Sequence, residues 1–177
     1  MPGGNTAHLS TQFAKAAGAN VIATTSSSDK ADYLKKTLGA DHVINYKDTP
    51  EWGAAARELT PGKRGVDHIV EVAGPVSMKQ SLATIAIDGV ISIIGFVGGG
   101  PKEKEPSFLE ALLNICTVRG VLVGSRVQME DMCRAVESNE RLRPVVDKKV
   151  FSLEEAKQAY EYQWAAKHIG KVCIKIE

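Results

Sequence analysis

Most of the features that would tie this chain to a chemistry at sight are missing. It has only three cysteines in 177 residues. Cys116, Cys133 and Cys173 are too far apart to make a CxxC pair or a metal-ligand set. They are expected as reduced thiols packed as small hydrophobes. Charge of either sign is not in excess: 22 Lys and Arg face 21 Asp and Glu, for a net charge of +1. Neither nucleic acid nor an anionic membrane is therefore favoured as a partner. No apolar run reaches the roughly 18 residues of a membrane span. The first residues lack the basic and apolar regions of a secretory leader, so a cytoplasmic location is expected. His8, His42, His68 and His168 are scattered. They form neither an HExxH motif nor a Ser–His–Asp grouping, so no catalytic and no metal-ligating residue is expected here.

The remaining composition is that of an ordinary globular chain, 44% hydrophobic and 24% charged. Its length suits one domain with a substantial core. Helix and strand signals alternate. Leu9, Phe13, Ala16 and Ala17 share a helical face that Gly18 stops. Strands are expected at Asn20–Thr24, His42–Tyr46, Val66–Val72, Val90–Ile94, Thr117–Val123 and Lys171–Ile176. Helices are expected after Ser28, from Thr49 to about Thr60, over Val76–Ala86, Ser107–Asn114, Gln128–Asn139 and Leu153–Ala166. Asp88-Gly89 reads as a turn. Val90-Ile-Ser-Ile-Ile94 is apolar throughout, as strands buried on both faces are. This order predicts an α/β fold, a doubly wound parallel sheet.

The start of the chain is the most telling stretch. Pro2-Gly-Gly-Asn-Thr-Ala7 leads into an alanine-rich helix and then a strand, the second half of a nucleotide-binding βαβ unit. Backbone N–H groups at Gly4, Asn5, Thr6 and Ala7 would face a pyrophosphate at the helix N-terminus. A strand ahead of these glycines is not visible. At the end of the following strand, an NAD site usually places Asp or Glu against the ribose 2′-OH. Here the residues are Thr25, Ser26 and Ser27, with Lys30 close behind. Hydroxyls and an ammonium can donate to a 2′-phosphate that a carboxylate would repel. NADP(H) is therefore expected over NAD(H). The crevice rule for open α/β sheets adds Val72, Ala73 and Gly74 and also Ile94, Gly95 and Phe96, at two further strand ends. Glu71, inside an apolar strand, is expected in a structural role beside the cofactor or at a surface edge.

Several phrases together resemble the cofactor domain of the medium-chain dehydrogenase/reductase family, which includes zinc alcohol dehydrogenases and zinc-free quinone oxidoreductases. They are Gln12-Phe-Ala-Lys-Ala-Ala-Gly-Ala19, Leu38-Gly-Ala-Asp-His-Val-Ile-Asn-Tyr46, Gly65-Val-Asp-His-Ile-Val-Glu-Val-Ala-Gly74, Asp88-Gly-Val-Ile-Ser-Ile-Ile-Gly95, Val118-Arg-Gly-Val-Leu-Val-Gly-Ser-Arg126 and His168-Ile-Gly-Lys-Val-Cys-Ile-Lys-Ile176. The resemblance runs through nearly the whole chain in unbroken order. It implies a single NAD(P)-binding Rossmann-like domain over residues 1–177, with the family's N-terminal GroES-like substrate domain, and any zinc it holds, absent. It places Lys30 and Tyr46 at the 2′-phosphate, and implies hydride transfer to or from a carbonyl, enone or quinone in the whole enzyme. It also implies a homodimer paired along the Val118–Val123 strand. A non-catalytic dinucleotide-binding or dimerisation module, or a truncated inactive copy, stays open. The resemblance implies that the missing strand is the first, at the centre of the 3-2-1-4-5-6 order. Either another segment fills that slot, or the flanking strands close up, or the chain is only marginally stable.

Overall fold

The computed structural model describes residues 5–100, 106–165 and 168–176, without the side chains of Asn5 and Thr6. In chain order the elements are α1 (Asn5–Ala16), β1 (Ile22–Thr25), α2 (Ser28–Lys36), β2 (His42–Asn45), α3 (Trp52–Glu58), β3 (Val66–Glu71), α4 (Pro75–Thr84), β4 (Ile85–Ile93), α5 (Leu109–Leu113), β5 (Thr117–Gly120), α6 (Arg126–Ser138), β6 (Val146–Ser152), α7 (Ala156–Trp164) and β7 (Lys171–Lys175). This is the expected alternating α/β chain. It forms two compact units, Met1–Val43 with Glu130–Glu177, and Ile44–Met129. The division falls inside β2 and inside α6.

In the first unit, Leu34, Leu38 and Ala40 form a buried cluster, with Val21, Ala23, Tyr33, Val43 and Val145 packed against it. The spacing of Leu34 and Leu38 puts both on one face of the α2 region. Asp29 in the first turn of α2 and Lys35 and Lys36 in its last suit the helix dipole. β6 and β7 pair in parallel, with a register break between Val146 and Val150. β6 is the element that sequence patterning misses. Lys148 and Lys149 interrupt its alternation, and the buried carboxylate of Asp147 accepts the Lys149 N–H at 2.8 Å. That bond takes a backbone donor out of the ladder where the register breaks.

In the second unit, β4 lies between β3 and β5, all parallel. Leu82, Ile85 and Ile91 form its buried cluster, backed by Val66, Ile69, Met78, Ile93 and Cys116. Two expectations need correction here. The helix over Val76–Ala86 ends at Thr84, and β4 begins directly at Ile85. Asp88 and Gly89 are not a turn before the strand but an irregularity within it. Val66 pairs with Ile85 while His68 pairs with Val90. Asp88, with φ +61°, gives its N–H to the Ile115 carbonyl at 2.7 Å. Aspartate enters the left-handed region more readily than most residues. The strand expected over Thr117–Val123 stops at Gly120.

β1 and β2 form a separate two-stranded sheet. Among the described residues β1 pairs with β2 alone, and β3 with β4 alone.

Candidate functional site

The parallel pairing of β3 and β4 brings their carboxyl ends side by side, and the contact continues past the strands. Ile94 N–H donates to the Glu71 carbonyl (2.9 Å), Val97 N–H to Val72 (3.1 Å) and Gly98 N–H to Ala73 (3.0 Å). Val72, Ala73, Gly74, Ile94, Gly95 and Phe96 are thus gathered in one place. Two glycines make this possible. A Cβ on Gly95 would stand 3.0 Å from the Val72 carbonyl oxygen. A Cβ on Gly74 would stand 3.0 Å from the Phe96 Cα, and Gly74 has φ +80°, ψ −137°, a region that is nearly glycine-only. The result is a bare backbone ledge at the carboxyl end of parallel strands, with the Phe96 ring 78% exposed beside it. A planar ring or a ribose can approach such backbone closely.

Beneath the ledge lies a feature that sequence reasoning named but did not resolve. The Glu71 carboxylate is 4% exposed. Its Oε1 accepts from Ala73 N–H (2.8 Å), Gly74 N–H (3.0 Å) and the Ser77 hydroxyl (2.6 Å), and its Oε2 accepts from the Ser81 hydroxyl at 2.5 Å. The signal was present in the sequence: Ser77 and Ser81 stand four apart, on one face of α4.

In the first unit, Gly4 lies outside the described residues. Asn5, Thr6 and Ala7 are the first residues of α1, whose first turn holds no acidic side chain. Thr25 ends β1 and is buried, and its Oγ1 accepts the Ser27 N–H at 3.4 Å. Ser27 is the extended N-cap residue of α2, yet its side chain makes no capping bond. Ser26 and Lys30 are half-buried beside it. Among the described residues Lys30 has no ion-pair partner. A helix start without a carboxylate, an uncommitted hydroxyl and an ammonium fit a phosphate-bearing ligand. Nearby, burial first, then the positive charges of Lys30 and His168, hold the His8 imidazole below its usual range. His8 is buried in the core, and its Nδ1 has no hydrogen-bond partner. Tyr46, half-buried just past β2, belongs to the second unit. Among the described residues no group of three or more His, Cys, Asp or Glu side chains is gathered as a metal would require.

A family profile described as zinc-binding dehydrogenase matches residues 6–138. The chain belongs to the zinc-binding dehydrogenase family. A zinc-type alcohol dehydrogenase-like protein of Schizosaccharomyces pombe is 46% identical over 176 residues, which is 98% of this chain and 50% of that protein. A crystal structure of an NAD-dependent alcohol dehydrogenase superposes with a TM-score of 0.81 at 31% identity, covering 94% of this chain and 47% of that one. A mycobacterial protein complexed with NADPH superposes with a TM-score of 0.77 at 27% identity, covering 97% of this chain and 55% of that one. The resemblance to a medium-chain dehydrogenase/reductase cofactor domain is borne out, and with it the Rossmann-like fold. This member of the zinc-binding dehydrogenase family spans about half the length of the curated relatives it matches.

Proposed function

We propose that residues 1–177 are the cofactor-binding part of an NADP(H)-dependent oxidoreductase acting on a carbonyl, enone or quinone. The observation that carries this reading is the bare ledge formed by Val72–Gly74 and Ile94–Phe96 at two parallel strand ends. The nicotinamide, when bound, supplies the hydride chemistry. The residues of this chain bind and orient it: the α1 start at Gly4–Ala7 toward the pyrophosphate, Thr25, Ser26, Ser27, Lys30 and Tyr46 toward the 2′-phosphate, and the ledge toward the nicotinamide. Groups that orient substrate or hold zinc would lie in the part of the relatives' length that this chain does not match.

The preference for NADP(H) rests on the hydroxyls after β1 and the ammonium of Lys30, where an NAD site would place a carboxylate. Calorimetric titration tests it. NADPH is expected to bind more tightly than NADH. Lys30→Ala is expected to weaken NADPH by about 10-fold or more, the value of a charge-assisted bond to phosphate, while leaving NADH unchanged. Tighter binding of NADH by the wild-type chain would overturn the preference.

Pairing of two chains along the Val118–Val123 edge belongs to the same reading. β5 is an outer strand of its sheet, and Leu122 and Val123 just beyond it are 93% and 81% exposed. Edges of this kind either pair or are blunted by charge. In sedimentation equilibrium the wild-type chain is expected as a dimer, and a double variant with Leu122→Lys and Val123→Lys as a monomer.

A further inference from the structure

The N-terminus of a helix normally offers unpaired N–H groups to an anion. α4 does not. Its first residue is Pro75, which has no N–H. The two N–H groups just before it, on Ala73 and Gly74, both donate to Glu71 Oε1. Ser77 and Ser81, on the face of α4 turned to that carboxylate, also donate to it. Ser77 N–H and Met78 N–H are taken by the Gly74 carbonyl. On the outer side, the Val72 and Ala73 carbonyls are taken by Val97 and Gly98. Among the described residues no cation pairs with Glu71. Its charge is balanced by these four donors and by the positive end of a ten-residue helix.

We infer that Glu71 is a positioning residue: its buried carboxylate acts as a built-in anion that closes the start of α4 to phosphate and fixes the Val72–Gly74 turn as an uncharged ledge for the nicotinamide half of the dinucleotide. The inference rests on the cofactor reading above and adds to it a division of labour between two helix starts. The first turn of α1 holds no acidic side chain of its own. The start of α4 already holds its anion, and a phosphate brought there would meet the charge of that carboxylate. Only an uncharged part of a ligand is tolerated on that turn. The ledge keeps its shape because one oxygen of Glu71 holds two successive N–H groups of the turn while the other is tied to Ser81, one helical turn beyond Ser77. A turn held at both ends in this way cannot rotate its Ala73 and Gly74 peptide groups without breaking charge-assisted bonds.

Calorimetric titration of NADPH and of 2′,5′-ADP, which carries the 2′-phosphate but no nicotinamide, tests this with the wild-type chain, Glu71→Gln and Ser77→Ala. Glu71→Gln keeps the size and removes the charge. It is expected to weaken NADPH by about 10-fold while changing 2′,5′-ADP by less than about 2-fold. Ser77→Ala removes one donor and keeps the carboxylate. It is expected to show the same selective loss, about 3-fold, and it reports if the Glu71 variant does not fold. A purely structural role lowers both ligands together or neither, and either result overturns the inference while leaving the cofactor reading intact. A wild-type chain that binds neither ligand overturns the cofactor reading and the inference with it.

Discussion

Gly53→Ala is expected to cost about 2–4 kcal/mol of stability, although alanine is the better helix former by about 1 kcal/mol. Gly53 lies buried in α3 where that helix meets α4. A Cβ there would stand 2.3 Å from the Gln80 carbonyl oxygen and 2.8 Å from Gln80 Oε1. The nearest atom is backbone in the middle of another helix, so no side-chain rotation relieves the overlap, and the helices must separate. Separation also breaks polar links, since Gly53 N–H donates to Gln80 Oε1 at 2.8 Å and the Thr84 hydroxyl donates to the Gly53 carbonyl at 3.1 Å. Both groups would be left buried without partners. The check is a denaturant midpoint, with amide exchange to locate the loss. Exchange should accelerate in α3 and α4. Gly100→Ala is the control: among the described residues nothing lies within 4 Å of its added Cβ, and it should stay within about 0.5 kcal/mol of wild type.

The sequence made the alternation of helices and strands legible because each element carries its own local pattern. Leu34 and Leu38 mark a helical face, and Val90–Ile94 marks a strand buried on both sides. It failed where a single interaction overrides the pattern. Nothing in Ile85-Ala-Ile-Asp-Gly89 distinguishes a helix end from a strand start. The Asp88 N–H bonded to Ile115 and the break in register against β3 settle it, and both are long-range. β6 was missed for the same reason, because its two lysines break the alternation and its partner β7 is more than fifteen residues away. For the site, glycines at strand ends were readable as positions of close backbone approach, and the structure gathers all six residues of the ledge. The role of Glu71 was not readable. A lone carboxylate in an apolar strand carries no sign of its four donors, and the pair Ser77 and Ser81 gains meaning only once α4 is known to start at Pro75. The residues expected at the phosphates fall in two units, and each segment is legible only by itself.

The first unit holds internal ties that should respond to acid. Asp147 makes three of these. It is 8% exposed. Its Oδ1 accepts from Lys149 N–H (2.8 Å) and the Tyr162 hydroxyl (3.3 Å), and its Oδ2 from Ile169 N–H (2.7 Å). One carboxylate thus links β6, α7 and the turn before β7. Asp147→Ala is expected to cost about 2–4 kcal/mol, because two backbone N–H groups lose a charged acceptor in a partly buried setting. A distinct pH signature should accompany the loss. Burial pushes the Asp147 carboxyl up, but the N–H groups of Ile169 and Lys149, the Tyr162 hydroxyl and the charge of His168 together outweigh it, and the net direction is down. The unfolded chain then takes up this proton at a higher pH than the folded one does. The contribution of Asp147 is fully present above the ordinary aspartate value of about 3.9 and is lost as pH falls through the lower folded value. Denaturant midpoints measured from about pH 6 down to pH 2 should therefore fall steeply at the acid end for the wild-type chain. Asp147→Ala should begin lower and lack that part of the descent. Equal acid slopes for the two chains would mean that Asp147 is as easily protonated folded as unfolded, and that the three donors around it do not favour its charged form.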